Sequence, residues 1–62
     1  MHILEQIRTD NDLSKEEMIK RLEIAGSYYS MLVNGKREIS KSLGFKISKE
    51  FGLPLEKVFL SN

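Results

Sequence analysis

The stretch "LSKEEMIKRLEIAGSYYSMLVNGKRE", residues 13–38, decides the fold, because it reads as two short helices joined by a connection of three or four residues. Ser14 is a good N-cap, and Glu17, three residues later, is the reciprocal member of a capping box. Met18, Ile19 and Leu22 then make the buried stripe of a helix over about 15–22. "EIAG" interrupts the rhythm, and "SYYSMLVNG" resumes it with Tyr29, Leu32 and Val33 on one side until Asn34-Gly35 stops the chain. The second helix therefore covers about 26–33. Helices so closely joined have the connection length of a helix-turn-helix, although many helical hairpins share it.

The pattern extends in both directions. Upstream, Ile3, Leu4 and Ile7 recur at helical spacing before the turn-forming "TDND", which predicts a helix over about 2–10. Downstream, Ile39, Leu43, Ile47 and Phe51 repeat every fourth residue between a Ser40 cap and a Gly52 stop, giving a helix over about 40–51. Gly44 lies inside it at a cost of about 1 kcal/mol against alanine, so a close approach by a neighbouring helix is expected there. Pro54 suits the first turn of a last short helix carrying Leu55, Val58 and Phe59 inward. The expected fold class is all-α, five short helices in one domain over residues 1–62, without strands, repeats or linkers.

Composition narrows the function. Sixty-two residues lie near the lower limit for a single apolar core, and the absence of cysteine removes disulfides, thiol nucleophiles and thiolate metal sites. One histidine excludes the usual catalytic and zinc constellations, so neither an enzyme nor a metal or other cofactor is expected. His2 reads as inert rather than as a pH sensor. No apolar run approaches the ~20 residues that span a bilayer, and a soluble, cytoplasmic protein is expected. The net charge is only +1, but Lys36, Arg37, Lys41, Lys46 and Lys49 against Glu38 alone give residues 25–49 a charge of +4, between segments of −2 and −1. A basic middle fits a polyanion, and a solvated charged face would look similar.

The string from Leu13 to Glu38, followed by "KISKEFGLPLEKVF", resembles the phage-repressor and Cro class of helix-turn-helix proteins, the Xre-like family, over residues 3–60 without a gap. The resemblance implies a lambda-repressor-like domain that binds duplex DNA as a dimer and controls transcription, its helix-turn-helix formed by helices two and three. It places Tyr29 in the core where Ile is usual, and leaves Tyr28 for the nucleic acid. It assigns base reading to Gly26, Ser27, Tyr28, Ser30 and Met31, a set without the Arg, Gln or Asn that discriminates bases most sharply. Lys15, where the family usually has Gln, is expected at a phosphate, with Asn34, Lys36, Arg37 and Lys41 on the other flank. Gly35 is expected at positive φ, and Lys46 and Lys49 are expected as surface charges.

Three further residues depart from the family pattern. Glu23 replaces the turn glycine, so either it adopts a left-handed conformation at about 1 kcal/mol or the turn is remodelled. Ala25 replaces a Ser or Thr cap, removing ~1 kcal/mol unless Ser27 takes over. Val33 replaces a common Glu.

Phe45, Leu53 and Leu60 are not required by the core and form a candidate homodimer interface. No effector segment is recognisable, which favours a Cro-like minimal regulator, or the DNA-binding piece of something longer, over a ligand-sensing repressor; no small-molecule substrate is evident. The rival reading is a protein-interaction module, an antirepressor or antitoxin-like subunit that uses the apolar C-terminal surface on another protein. The weak base-reading set favours that rival, and the Lys15 and Asn34–Arg37 cluster favours DNA.

Overall fold

The computed structural model describes residues 1–60, which form α1 (Ile3–Asp10), α2 (Lys15–Leu22), α3 (Gly26–Val33), α4 (Lys41–Phe51) and α5 (Leu55–Leu60). No strand occurs among the described residues. α2 begins with the expected box: the Glu17 amide donates to Ser14 Oγ at 3.1 Å and the Ser14 amide to Glu17 Oε1 at 2.8 Å. Those bonds hold the Glu17 carboxyl below its usual pKa. Ser40 caps α4 by accepting the Leu43 amide at 3.2 Å. α3 has no such help, because Ala25 is its N-cap and Ser27 does not replace it.

His2 is not inert. It stands outside α1 as the N-cap, its Nδ1 accepting the Leu4 amide at 3.0 Å, so the imidazole must be neutral to make that bond. Burial pushes its pKa down, in the same direction.

α1 to α4 end alike. Each stops at a left-handed residue, Asp12 (φ 54), Glu23 (φ 57), Gly35 (φ 76) and Gly52 (φ 65). The amide of the residue that follows returns to a carbonyl five positions back: Leu13 to Arg8, Ile24 to Ile19, Lys36 to Met31 and Leu53 to Ser48. These are Schellman closures, which satisfy carbonyls that a helix end leaves orphaned. Leu13 is buried and Ile24 and Leu53 pack against the core, as the apolar contact of such closures requires. Lys36 is exposed. Of the two alternatives for Glu23, the left-handed one is therefore observed.

The core gathers one stripe from each helix: Ile3, Leu4 and Ile7; Met18 and Leu22; Tyr29 and Leu32; Leu43 and Ile47; Val58, with Leu13 and Ile39 from the connections. Burying a side chain of this size contributes about 1.5–3 kcal/mol. Polar ties fix the helices around it. Tyr29 donates to Glu5 Oε2 at 2.5 Å, linking α3 to α1, and Arg8 pairs with Glu5 at 3.0 Å. Arg21 of α2 reaches α4 through Glu50 at 3.9 Å and lies over the Phe51 ring at 5.9 Å.

Two expectations about the C-terminal region need correction. Phe59 is not inward: it is 40% exposed, while Val58 is fully buried. Adjacent helical residues diverge by about 100°, and in this last helix it is Val58 that takes the inward direction. The tip of the ring does rest on Gly44, where an added Cβ would lie 2.2 Å from Phe59 Cζ, and this is the close approach that a mid-helix glycine implies. Leu53 is not part of an exposed patch. It packs on the core beside Ile3, Ile7 and Phe51, with Ser48 Oγ donating to its carbonyl.

Candidate nucleic-acid interface

α3 buries Tyr29 and Leu32, and its opposite side is the stripe Ser27, Ser30, Met31 and, at the C-cap, Asn34. Residues three and four apart share a helical face, so this stripe follows from the burial of the other. Ser27 is exposed; Ser30 and Met31 are half-buried. The stripe is small and mostly polar, and it projects no long side chain of its own beyond Met31.

The remaining two expected base readers stand differently. Gly26 lies at the crossing of α2 and α3, where an added Cβ would come within 3.4 Å of Ile19 Cδ1, so it is a packing position as much as a surface one. Tyr28 does not stand free toward solvent. It is half-buried against the core and lines a groove with Ile24 of the turn, Ser40, Ser42 and Leu43. The reason is phase: Tyr28 lies one turn before Leu32, on the flank of the outward stripe. Tyr29 is fully packed, 1% exposed, and burial, aided by Glu5, holds its hydroxyl protonated well above the usual phenol range.

Lys15 comes to this face from α2. Its ammonium donates to Ser30 Oγ at 3.0 Å, so the first turn of α2 and the outer side of α3 form one surface. At the other end, Asn34 closes α3, Gly35 takes the expected positive φ, and the Lys36 and Arg37 amides both return to the Met31 carbonyl, at 2.9 and 3.3 Å. That fold-back stations two exposed cations at the end of the stripe. Space does not require the glycine, since nothing lies within 4 Å of an added Cβ; the backbone conformation does. Lys41 is set apart from this group, bordering a hollow lined by Phe45, Leu55, Phe59 and Leu60.

Electrostatics separate the cations into two groups. Among the described residues Arg8, Arg21 and Lys46 are ion-paired, with Glu5, Glu50 and Glu23. Lys15, Lys20, Lys36, Arg37, Lys41 and Lys49 have no carboxylate partner among them. Lys46, expected as a surface charge, is half-buried and tied to Glu23. Sequence reasoning missed the contact between Lys15 and Ser30, for which no local spacing gives a signal. It also grouped Asn34 only with the loop, although Asn34 lies seven residues after Ser27 and so on the same face.

The described residues contain no cluster of His, Cys, Asp or Glu that could hold a metal, and no helix long and apolar enough to cross a membrane. The helix-turn-helix family model matches residues 4–58. An uncharacterised HTH-type transcriptional regulator of Methanocaldococcus jannaschii is 32% identical over 57 residues, covering 92% of this chain and 86% of that protein. Control protein C.MunI of a Mycoplasma species is 35% identical over 57 residues, covering 90% and 77%. No solved structure matches. With the helix pair, the left-handed turn and the loop in place, the chain belongs to the helix-turn-helix family of Cro/Xre-type, sequence-specific DNA-binding transcriptional regulators, a non-catalytic class.

Proposed function

We propose that the protein, a single domain acting in the cytoplasm, lays α3 in the major groove of duplex DNA and does so as a homodimer. The supporting observation is the outward stripe of α3 with cations free of carboxylate partners beside it, Lys15 over its middle and Lys36 and Arg37 past its end. Ser27, Ser30 and Met31 face base edges, where hydroxyls exchange hydrogen bonds and Met31 meets a thymine methyl. Gly26 lets the start of α3 approach closely, and Tyr28 borders the contact from its flank. Asn34, Lys36 and Arg37 hold phosphates on one side and Lys41 adds charge from the first turn of α4. Lys15 brings a further cation from α2 to the middle of the stripe. With few base contacts, part of the specificity comes from DNA shape and bridging water.

The second copy docks on the apolar patch of α4 and α5. Phe45 is 58% and Leu60 81% exposed, and Phe59 lies with them around one hollow. Such a dimer presents two copies of α3 to successive turns of the duplex. Titration of a fluorescent duplex at several salt concentrations tests the reading. Affinity should fall steeply with salt, and the double variant Lys36→Ala/Arg37→Ala should flatten the log–log slope by about 2. Absent or salt-indifferent binding overturns the proposal in favour of a protein-interaction module.

A further inference from the structure

A lysine in the first turn of α2 is expected beside a phosphate, where the amides of the helix end supply the other donors. Its observed partner is Ser30 Oγ, in the middle of the outward stripe of α3. We infer that Lys15 is a base-reading residue, held over α3 by Ser30 to recognise a guanine at one position of each half-site; this rests on α3 lying in the major groove.

The chemistry of the pair carries the assignment. An ammonium has three donors and no acceptor, and Ser30 uses one of them, leaving two for other acceptors. Guanine is the base whose major-groove edge offers two adjacent acceptors, O6 and N7. Adenine sets a donor beside its N7, cytosine offers a donor, and thymine one acceptor beside a methyl group. A cation with two spare donors therefore discriminates in favour of guanine. Ser30, having accepted from Lys15, keeps its own proton to donate to the same edge or to a water on it.

Three surrounding features leave Lys15 available for this task. It has no carboxylate partner among the described residues. Gly26, one turn before Ser30 on the same side of α3, adds no side chain that would hold a base edge away. The stripe contains no cation of its own, and its one amide side chain, Asn34, sits past the last turn. The strongest reader on this surface thus comes from the neighbouring helix. Ser30 is a positioning residue as well as a contact.

Selection of bound sites from random duplex, followed by titration of the best site and its single-base variants, tests this with the full chain as it stands. Wild type should favour guanine at one position per half-site by about tenfold. Lys15→Ala should lose that preference while keeping preferences elsewhere in the site. Ser30→Ala should weaken the same preference without changing the salt slope, and Ser30→Thr, which retains the hydroxyl, should restore it. The inference is overturned if Lys15→Ala keeps the guanine preference, loses affinity equally for every sequence and flattens the salt slope by about 1, the behaviour of a phosphate contact. Because that result leaves α3 in the groove, it is distinct from failure of the proposed function itself, in which wild type would enrich no sequence and show no salt dependence. Circular dichroism of each variant confirms that the loss is not one of folding.

Discussion

Replacing Glu23 by glycine and by alanine isolates the backbone strain of the helix-turn-helix corner. At φ 57 and ψ 44 this residue sits in the left-handed well, which costs an L-residue about 1–2 kcal/mol and glycine little. Glycine also has more unfolded-state entropy to lose, which offsets about 0.4–1 kcal/mol. The carboxylate bond to Lys46 is absent in both variants, so it cancels in the comparison. What is left favours Glu23→Gly over Glu23→Ala by about 0.5–1 kcal/mol, or roughly 4 °C in melting temperature for a domain of this size. Urea and thermal melts by circular dichroism measure the difference. Equal stability of the two, or a more stable alanine variant, would refute a strained left-handed corner.

Other expectations follow from single contacts. Ala25→Ser should stabilise the fold by about 1 kcal/mol, measured in urea, because α3 lacks a side-chain cap. Glu5 has its pKa held below 4.5, first by the hydrogen bond from Arg8 and next by that from Tyr29. Its contribution is therefore complete above that value and lost as pH falls below it through the folded-state pKa, and Glu5→Gln should flatten this part of the stability–pH curve. Gly44→Ala must displace the Phe59 ring but improves helix propensity by about 1 kcal/mol. It should leave the monomer folded and weaken the dimer in sedimentation; a monomer that unfolds would contradict a ring able to yield at the surface.

The helices were legible because their signals are local. The Ser14–Glu17 box, the Ser40 cap, the Asn34-Gly35 stop and the four-residue apolar repeat of α4 each lie within one or two turns of the structure they specify, and α2 and α3 have the expected bounds. Tyr29 followed from periodicity, and the left-handed corner was reduced to two alternatives by the absence of glycine at position 23. Less legible were matters of direction at the edge of the core. Leu53 and Phe59 are equally apolar on paper, yet a helix closure folds the first inward, and the bare backbone of Gly44 gives the second a seat on the surface. His2 became a cap because an imidazole nitrogen can do what a serine oxygen does, a substitution outside the usual cap preferences. The meeting of Lys15 with Ser30 depends on the crossing of two helices, which no spacing within either encodes.

The closure of α3 differs from its siblings in a way that reaches beyond geometry. Leu13, Ile24 and Leu53 clamp their corners with hydrocarbon, whereas Lys36 leaves its own corner unclamped and points a charge at solvent. A leucine at position 36 would put hydrocarbon at that corner and, on the proposed function, remove a grip on the phosphates. On that reading, selection for heat resistance alone would be free to trade the charge away, and the lysine marks a corner where binding rather than durability chose the side chain.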